Sequence, residues 1–268
     1  MAARAAPGVS RTSSRSSRSR ATIRRPDVKI GAFVLHLARA TARRENAEAL
    51  LDTCGLEGEI WPAVDGTALS AADVTAVYQP GLFRPSYPFK LRPGEIGCFL
   101  SHRQIWSEIV RRNLDAALIL EDDVALSQPT FASARDLALQ HVGTLGYIKM
   151  RATPPKGRVR IVQQRDGATL VTGDNPGLGA TAQCVSRNGA LQLLKHSKTF
   201  DRPVDTFIQS HWFTGLAPST VYPSGVEHID VELAGSTIQG KDEGILELMS
   251  RELRRARYRY AVKKLSSR

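Results

Sequence analysis

Three adjacent carboxylates, Glu121, Asp122 and Asp123, follow directly on the apolar run Ala-Ala-Leu-Ile-Leu that ends at Leu120. Like charges side by side repel, so a chain leaving a buried strand this way must solvate them or bind a cation. If the strand's pleat persists, Glu121 and Asp123 point to one side and Asp122 to the other, toward solvent or backbone. Two convergent carboxylates are hard ligands of the kind that suits Mn²⁺ or Mg²⁺. The carboxyl end of a strand is also where open α/β sheets hold ligands. A metal there suits transfer of groups carrying phosphate, because it neutralises a departing pyrophosphate. These residues alone leave sugar transfer, nucleotidyl transfer and phosphodiester hydrolysis open, and a solvated acidic turn is the plain alternative.

The surrounding sequence supplies elements able to position such acids. The apolar run from Ile30 to Leu37 suits a buried strand. Ala47, Leu50, Leu51 and Cys54 then share one helical face, with Gly55 as a stop. Residues 60–64 read as a second strand ending in the Asp65-Gly66 turn, which makes the start of a βαβ unit. Residues 70–93 hold four prolines and no clear period, as a loop or small subdomain would. Pro93-Gly94-Glu95 opens a helix whose Ile96, Phe99, Leu100, Trp106, Ile109 and Val110 form an apolar stripe. Further strands are expected at 147–150 and in a hairpin about Asp166-Gly167, and Ser186 can cap a helix through Leu194. The alternation predicts an α/β fold around a mostly parallel sheet.

Charge is unevenly placed. Of the +11 overall, residues 1–26 and 251–268 each carry +7, which leaves the body between them at −3. A basic groove for nucleic acid is therefore not built into the fold, and no specific nucleic-acid partner is expected. Residues 1–27 read as a disordered Ser/Arg-rich tail, 28–244 as one globular domain and 245–268 as a basic helix. The basic tails suit contact with an anionic membrane surface. Three scattered cysteines make neither a metal pattern nor a disulfide framework, and no apolar run is long enough to cross a bilayer. A cytoplasmic protein, peripheral at the inner face of the plasma membrane, is the expectation.

The stretch GEIGCFLSH (Gly94–His102), then Trp106, then ALILEDDV (Ala117–Val124), resembles the signature of glycosyltransferase family 25. VLHLARATARR at 34–44, WPAVDG at 61–66, SRNGALQLL at 186–194 and the Pro-Val-Asp at 203–205 agree with it in order. The resemblance implies a GT-A-like, single Rossmann-like domain holding a sugar nucleotide at its strand ends. It also implies inverting transfer, of galactose from UDP-galactose, onto a saccharide or glycolipid acceptor of lipopolysaccharide or a related glycan. Asp123 would bind Mn²⁺ or Mg²⁺, with Glu121 on the ribose or the metal, and His228 as a further ligand. Donor contacts would come from His36, Leu37, Arg43, Asp65, Glu95, Ser101, His102, Glu121 and Lys149. Inversion needs a group to take the acceptor's proton; Asp205 is the first choice and Asp174 the second, an N-cap being the plain role for Asp205. Two places depart from the family pattern: His36 stands where Asn is usual, and Gly179-Ala180 with Gln183 stands where Gly-Thr and a Tyr are usual. Two rivals remain: a metal-dependent nuclease or nucleotidyltransferase using the same acids, and a catalytically silent family member acting as a binding module.

Overall fold

The computed structural model describes residues 28–229 and 245–266. The tail expected over residues 1–27 lies outside them. The chain opens with β1 (Ile30–His36), a 3-10 turn at Thr41–Arg43, α1 (Arg44–Thr53) and β2 (Gly58–Pro62). Then come α2 (Ala71–Val77), α3 (Pro93–Arg111), β3 (Ala116–Glu121), β4 (Val124–Leu126), α4 (Thr130–Leu145) and β5 (Tyr147–Met150). The second half holds β6 (Val159–Arg165), β7 (Ala168–Gly173), β8 (Ala182–Ser186), α5 (Arg187–His196), α6 (Val204–Gln209) and α7 (His211–Thr214). It finishes with β9 (Ser219–Tyr222), β10 (Val226–His228) and α8 (Ile245–Ser266).

Eight strands form one sheet in the order β2-β1-β3-β8-β5-β9-β7-β6, while β4 and β10 pair in a separate antiparallel ribbon. The pairings make β1, β2, β3, β5, β6 and β9 point one way, with β7 and β8 reversed. The α/β fold and its predominant strand direction are as the sequence predicts.

Strand alternation divides the core in two. Leu118 and Leu120 of β3 join α1 and α4 in one apolar cluster, with Ala47, Leu50, Phe131 and Leu137 fully buried or nearly so. Ala117 and Ile119 face the other way, into α3, α5 and α6, among Phe99, Trp106, Leu193 and Phe207. The same alternation sets Glu121 on the α3 side and Asp122 on the α1 side.

Two motif glycines are explained by close approach. A Cβ on Gly66 would run into the Pro93 carbonyl, and one on Gly97 would lie 2.5 Å from the Val64 carbonyl oxygen. The turn after β2 therefore presses backbone to backbone on the first turns of α3, and this contact fixes where α3 delivers Cys98 and His102.

Candidate active site

Glu121 ends β3 with its carboxylate turned to α3. Gln183 on β8 holds the hydrogen bonds that orient this corner. Its side-chain nitrogen lies 3.1 Å from the Ala180 carbonyl oxygen, which can only accept. The same NH₂ donates to His102 Nδ1 at 3.0 Å. With Nδ1 accepting, His102 Nε2 carries the ring proton and donates to Glu121 Oε1 at 3.2 Å. Gln183 is fully buried, so this departure from the family pattern acts on Glu121 through His102 and does not face a sugar directly.

Asp122 turns the opposite way, and neither to solvent nor to backbone as expected. It is 7% exposed, accepts from His36 Nδ1 at 2.7 Å and from Arg43 Nη1 at 3.2 Å. Asn46 from α1 donates to the backbone carbonyls of Asp122 and Val124, each at 2.9 Å, and so pins the turn. His36 and Arg43 thus serve the middle acid of the triplet.

Asp123 is left with a buried oxygen, Oδ1, that has no hydrogen-bond partner among the described residues. Its carboxyl is pushed above the usual range by burial and by the charge of Glu121, against the opposing charges of Arg43 and His228. A buried, unpaired carboxylate oxygen is costly unless a cation meets it. His228 lies close by: it faces Val124 across the β4–β10 ribbon, and the Ile229 N–H donates to the Asp123 carbonyl at 2.9 Å. An unmet carboxylate oxygen with the His228 charge nearby suits a hard divalent cation at Asp123. Among the described residues, the trio whose ligand atoms all lie within 4.8 Å of one another is instead Cys98, His102 and Glu121. That trio reads as a hydrogen-bonded cluster: His102 Nε2 carries a proton, and burial holds the Cys98 thiol far above its ordinary range.

Across the crevice, Asp205 sits in the first turn of α6, not at its N-cap, which is Pro203. Its Oδ1 accepts from the Thr206 N–H at 2.6 Å, and its Oδ2 accepts from the Gly179 N–H at 3.2 Å. The segment carrying Gly179 runs over the sheet face. Asp174 at its start is exposed and ion-paired with Arg158 at 2.9 Å, and Lys149 donates to Gly177 O at 2.7 Å midway. Thr181 O accepts from the Glu121 N–H at 2.8 Å at its end. The Lys149 ammonium is pushed down to about 7 by burial, with the nearby Asp205 charge opposing.

A cleft of about 370 Å³ opens here, lined by Lys149, Arg151, Leu178, Gly179, Thr181 and His228 among others. A second, of about 410 Å³, lies at the ends of β1 and β2 against His36, Thr41, Arg44 and Pro62. Lys149 and His228 thus line the first cleft and His36 the second, while Asp205 reaches the first through Gly179 and Glu121 through the Thr181 carbonyl.

The remaining residues singled out by the sequence have local duties. Glu95 caps α3 by accepting from the Arg92 N–H at 2.7 Å. Ser101 bridges the Val64 N–H and the Gly97 carbonyl. Asp65 closes its turn on Thr67 and pairs with Arg39, and Leu37 O accepts from the Ala40 N–H. Asp174 is taken up by Arg158. Sequence reasoning missed Gln183 as a positioning group and Asn46 as the clamp of the turn; for Asn46 the only signal is a polar residue at i+3 from Arg43 beside the strand end.

Comparison with known proteins gives the chain a family. Residues 29–208 match the family described as glycosyltransferase family 25 (LPS biosynthesis protein). A "Glycosyltransferase 25 family member" of Drosophila melanogaster is 34% identical over 185 residues, covering 66% of this chain and 29% of that protein. "Procollagen galactosyltransferase 1" of Danio rerio is 42% identical over 95 residues, 34% of this chain and 16% of that one. An "Inactive glycosyltransferase 25 family member 3" of Homo sapiens is 41% identical over 95 residues, again 34% and 16%. The chain spans under a third of the length of these curated relatives. With two thirds of its residues inside the family's pattern and the acidic triplet at its strand end, the chain belongs to glycosyltransferase family 25.

Proposed function

We propose that this chain is a metal-dependent, inverting hexosyltransferase that moves galactose from UDP-galactose onto a saccharide hydroxyl. The observation that carries the reading is the division of the acidic triplet, which leaves Asp123 Oδ1 buried and unpaired among the described residues, with the charges of Arg43 and His228 close by. Asp123 and His228, with Glu121, would hold Mn²⁺ or Mg²⁺. When bound, that ion neutralises charge on the donor's pyrophosphate.

The chain's own residues do the rest. Asp122 locks His36 and Arg43 at the end of β1, so that the guanidinium adds positive charge where a diphosphate would lie. His102, held by Gln183, keeps Glu121 turned to the crevice. Asp205 presents Oδ2, engaged by one long amide contact, to take the proton of an attacking hydroxyl. The identity of the galactosyl donor is supported by the relatives' printed names. The acceptor is supported less narrowly: the family's description names lipopolysaccharide synthesis, while the named relatives are animal proteins, some of them procollagen galactosyltransferases.

Slow hydrolysis of UDP-galactose with Mn²⁺ and no acceptor tests the reading, run beside a panel of UDP- and GDP-sugars. Saturable, Mn²⁺-dependent turnover lost in Asp123→Ala supports it. An unchanged rate in that variant sinks the metal assignment. The human relative named inactive favours one second reading, a silent binding module. Tight donor binding without hydrolysis or transfer would point to it.

A further inference from the structure

Helix α8 has two dissimilar long faces. One is docked on the fold. The Tyr258 hydroxyl accepts from Arg202 at 3.2 Å, and its ring meets Tyr87 edge-on at 5.5 Å. Arg255 lies over the Phe89 ring at 5.5 Å, and Val262 is 8% exposed. At about 100° per residue, Tyr258 and Val262 share one side, while Leu253 and Tyr260 lie nearly opposite. Those two are 54% and 72% exposed. Arg257 and Lys264 follow them at i+4 on the same outward side, and both are exposed. Leu253 and Tyr260 thus stand in one outward strip with two cations.

We infer that the outward face of α8, built on Leu253, Tyr260, Arg257 and Lys264, is a docking surface for an anionic lipid bilayer. Charge complementarity selects the occupant. From Ser250 to Ser266 the helix carries seven Arg and Lys against one Glu, whereas the body of the chain is at −3. Clustered Lys and Arg on an exposed helix attract an anionic lipid surface, and an exposed Leu and Tyr beside them can enter its interface. A nucleic-acid site would have no use for the exposed Leu253. Among the described residues no helix is long and apolar enough to cross a membrane, so α8 would lie on the surface and not span it.

Tyr258 bonds Arg202, three residues before Asp205, so α8 meets the fold next to the start of α6. Lipid binding does not depend on the transferase reading and can be tested without it.

The test is co-sedimentation of the full chain with phosphatidylcholine vesicles and with mixed phosphatidylcholine–phosphatidylglycerol vesicles, at about 0.1 and 0.5 M salt. Expected is binding to the anionic vesicles only, weakened at high salt. Binding should fall about tenfold in Leu253→Ser/Tyr260→Ser and again about tenfold in Arg257→Gln/Lys264→Gln. Helix content by circular dichroism and acceptor-free UDP-galactose hydrolysis should match the parent chain in both variants. Equal binding to neutral vesicles would overturn the proposal. So would undiminished binding by the two variants, which would assign the effect to the arginines of residues 1–26. Full competition by a DNA duplex at equal charge would overturn it as well, in favour of a polyanion site.

Discussion

Asp123 and Asp122 are neighbours of one chemical type, yet one keeps a carboxylate oxygen without a partner among the described residues and the other has two side-chain partners. Replacing Asp123 with Asn should lower Mn²⁺-dependent donor hydrolysis at least about 10²-fold and remove Mn²⁺ binding by calorimetry. Asp122→Asn should instead leave Mn²⁺ binding measurable and weaken the donor, because it releases His36 and Arg43. Asp205→Asn should cut transfer by about 10²–10⁴-fold in kcat while donor binding stays. Lys149 makes a pH-dependent contribution to stability. The folded chain releases its proton near pH 7 and the unfolded chain near 10.5, so the penalty for its burial is full below 7. Stability from this group therefore rises as pH climbs from about 7 toward 10.5, by up to about 1.4 kcal/mol per pH unit. Lys149→Met should flatten that slope in urea unfolding measured across the range. The triplet's strand-end position was legible in the sequence, and so was the turning of Glu121 and Asp122 to opposite sides, although the pleat gives way to a turn at Asp122 and Asp123. The fate of Asp122 was not, because a partner some 80 residues away on β1 leaves no local trace.

Elements were legible where period and punctuation coincide. Ser186 caps α5 through the Gly189 N–H, as its spacing indicated, and the Asp166-Gly167 hairpin joins β6 to β7. Helix α4 leaves little sign in the sequence: its buried Phe131, Leu137 and Val142 are interleaved with small alanines, which weakens the stripe, and Pro129 supplies no side-chain cap. Strand β8 escaped notice for another reason. Its Gln183 is polar yet fully buried, which breaks the run of apolar residues that marks a central strand. The motif glycines of α3 separate cleanly at this scale. Gly97→Ala should destabilise by about 1–3 kcal/mol, since backbone on the turn after β2 would have to move. Gly94 has open space around it, so Gly94→Ala should gain about 0.5–1 kcal/mol from helix propensity. Thermal unfolding of both variants checks the contrast.

At the scale of the molecule, the buried pair Asp201–Arg202 joins parts far apart in sequence. Arg202 reaches the Pro85 carbonyl, Ser210 and Tyr258, and stands over the rings of Phe83 and Phe213. Arg202→Met should cost about 3–5 kcal/mol, because it strands a buried carboxylate. Asp201→Asn in the same chain should recover part of that loss in denaturant unfolding. No composition or period announces such a hub; the sequence shows only one acid beside one base. The segment from Asp174 to Thr181 is the other long-range connector, fastened at Arg158, Lys149, Asp205 and Glu121 in turn. An acceptor hydroxyl that docks on Asp205 Oδ2 would share that oxygen with the Gly179 amide proton or displace it. In a ¹⁵N-labelled chain that glycine resonance would move upfield when acceptor arrives and stay put when only donor is added. A single backbone amide would then report, without turnover, which half of the reaction has been loaded.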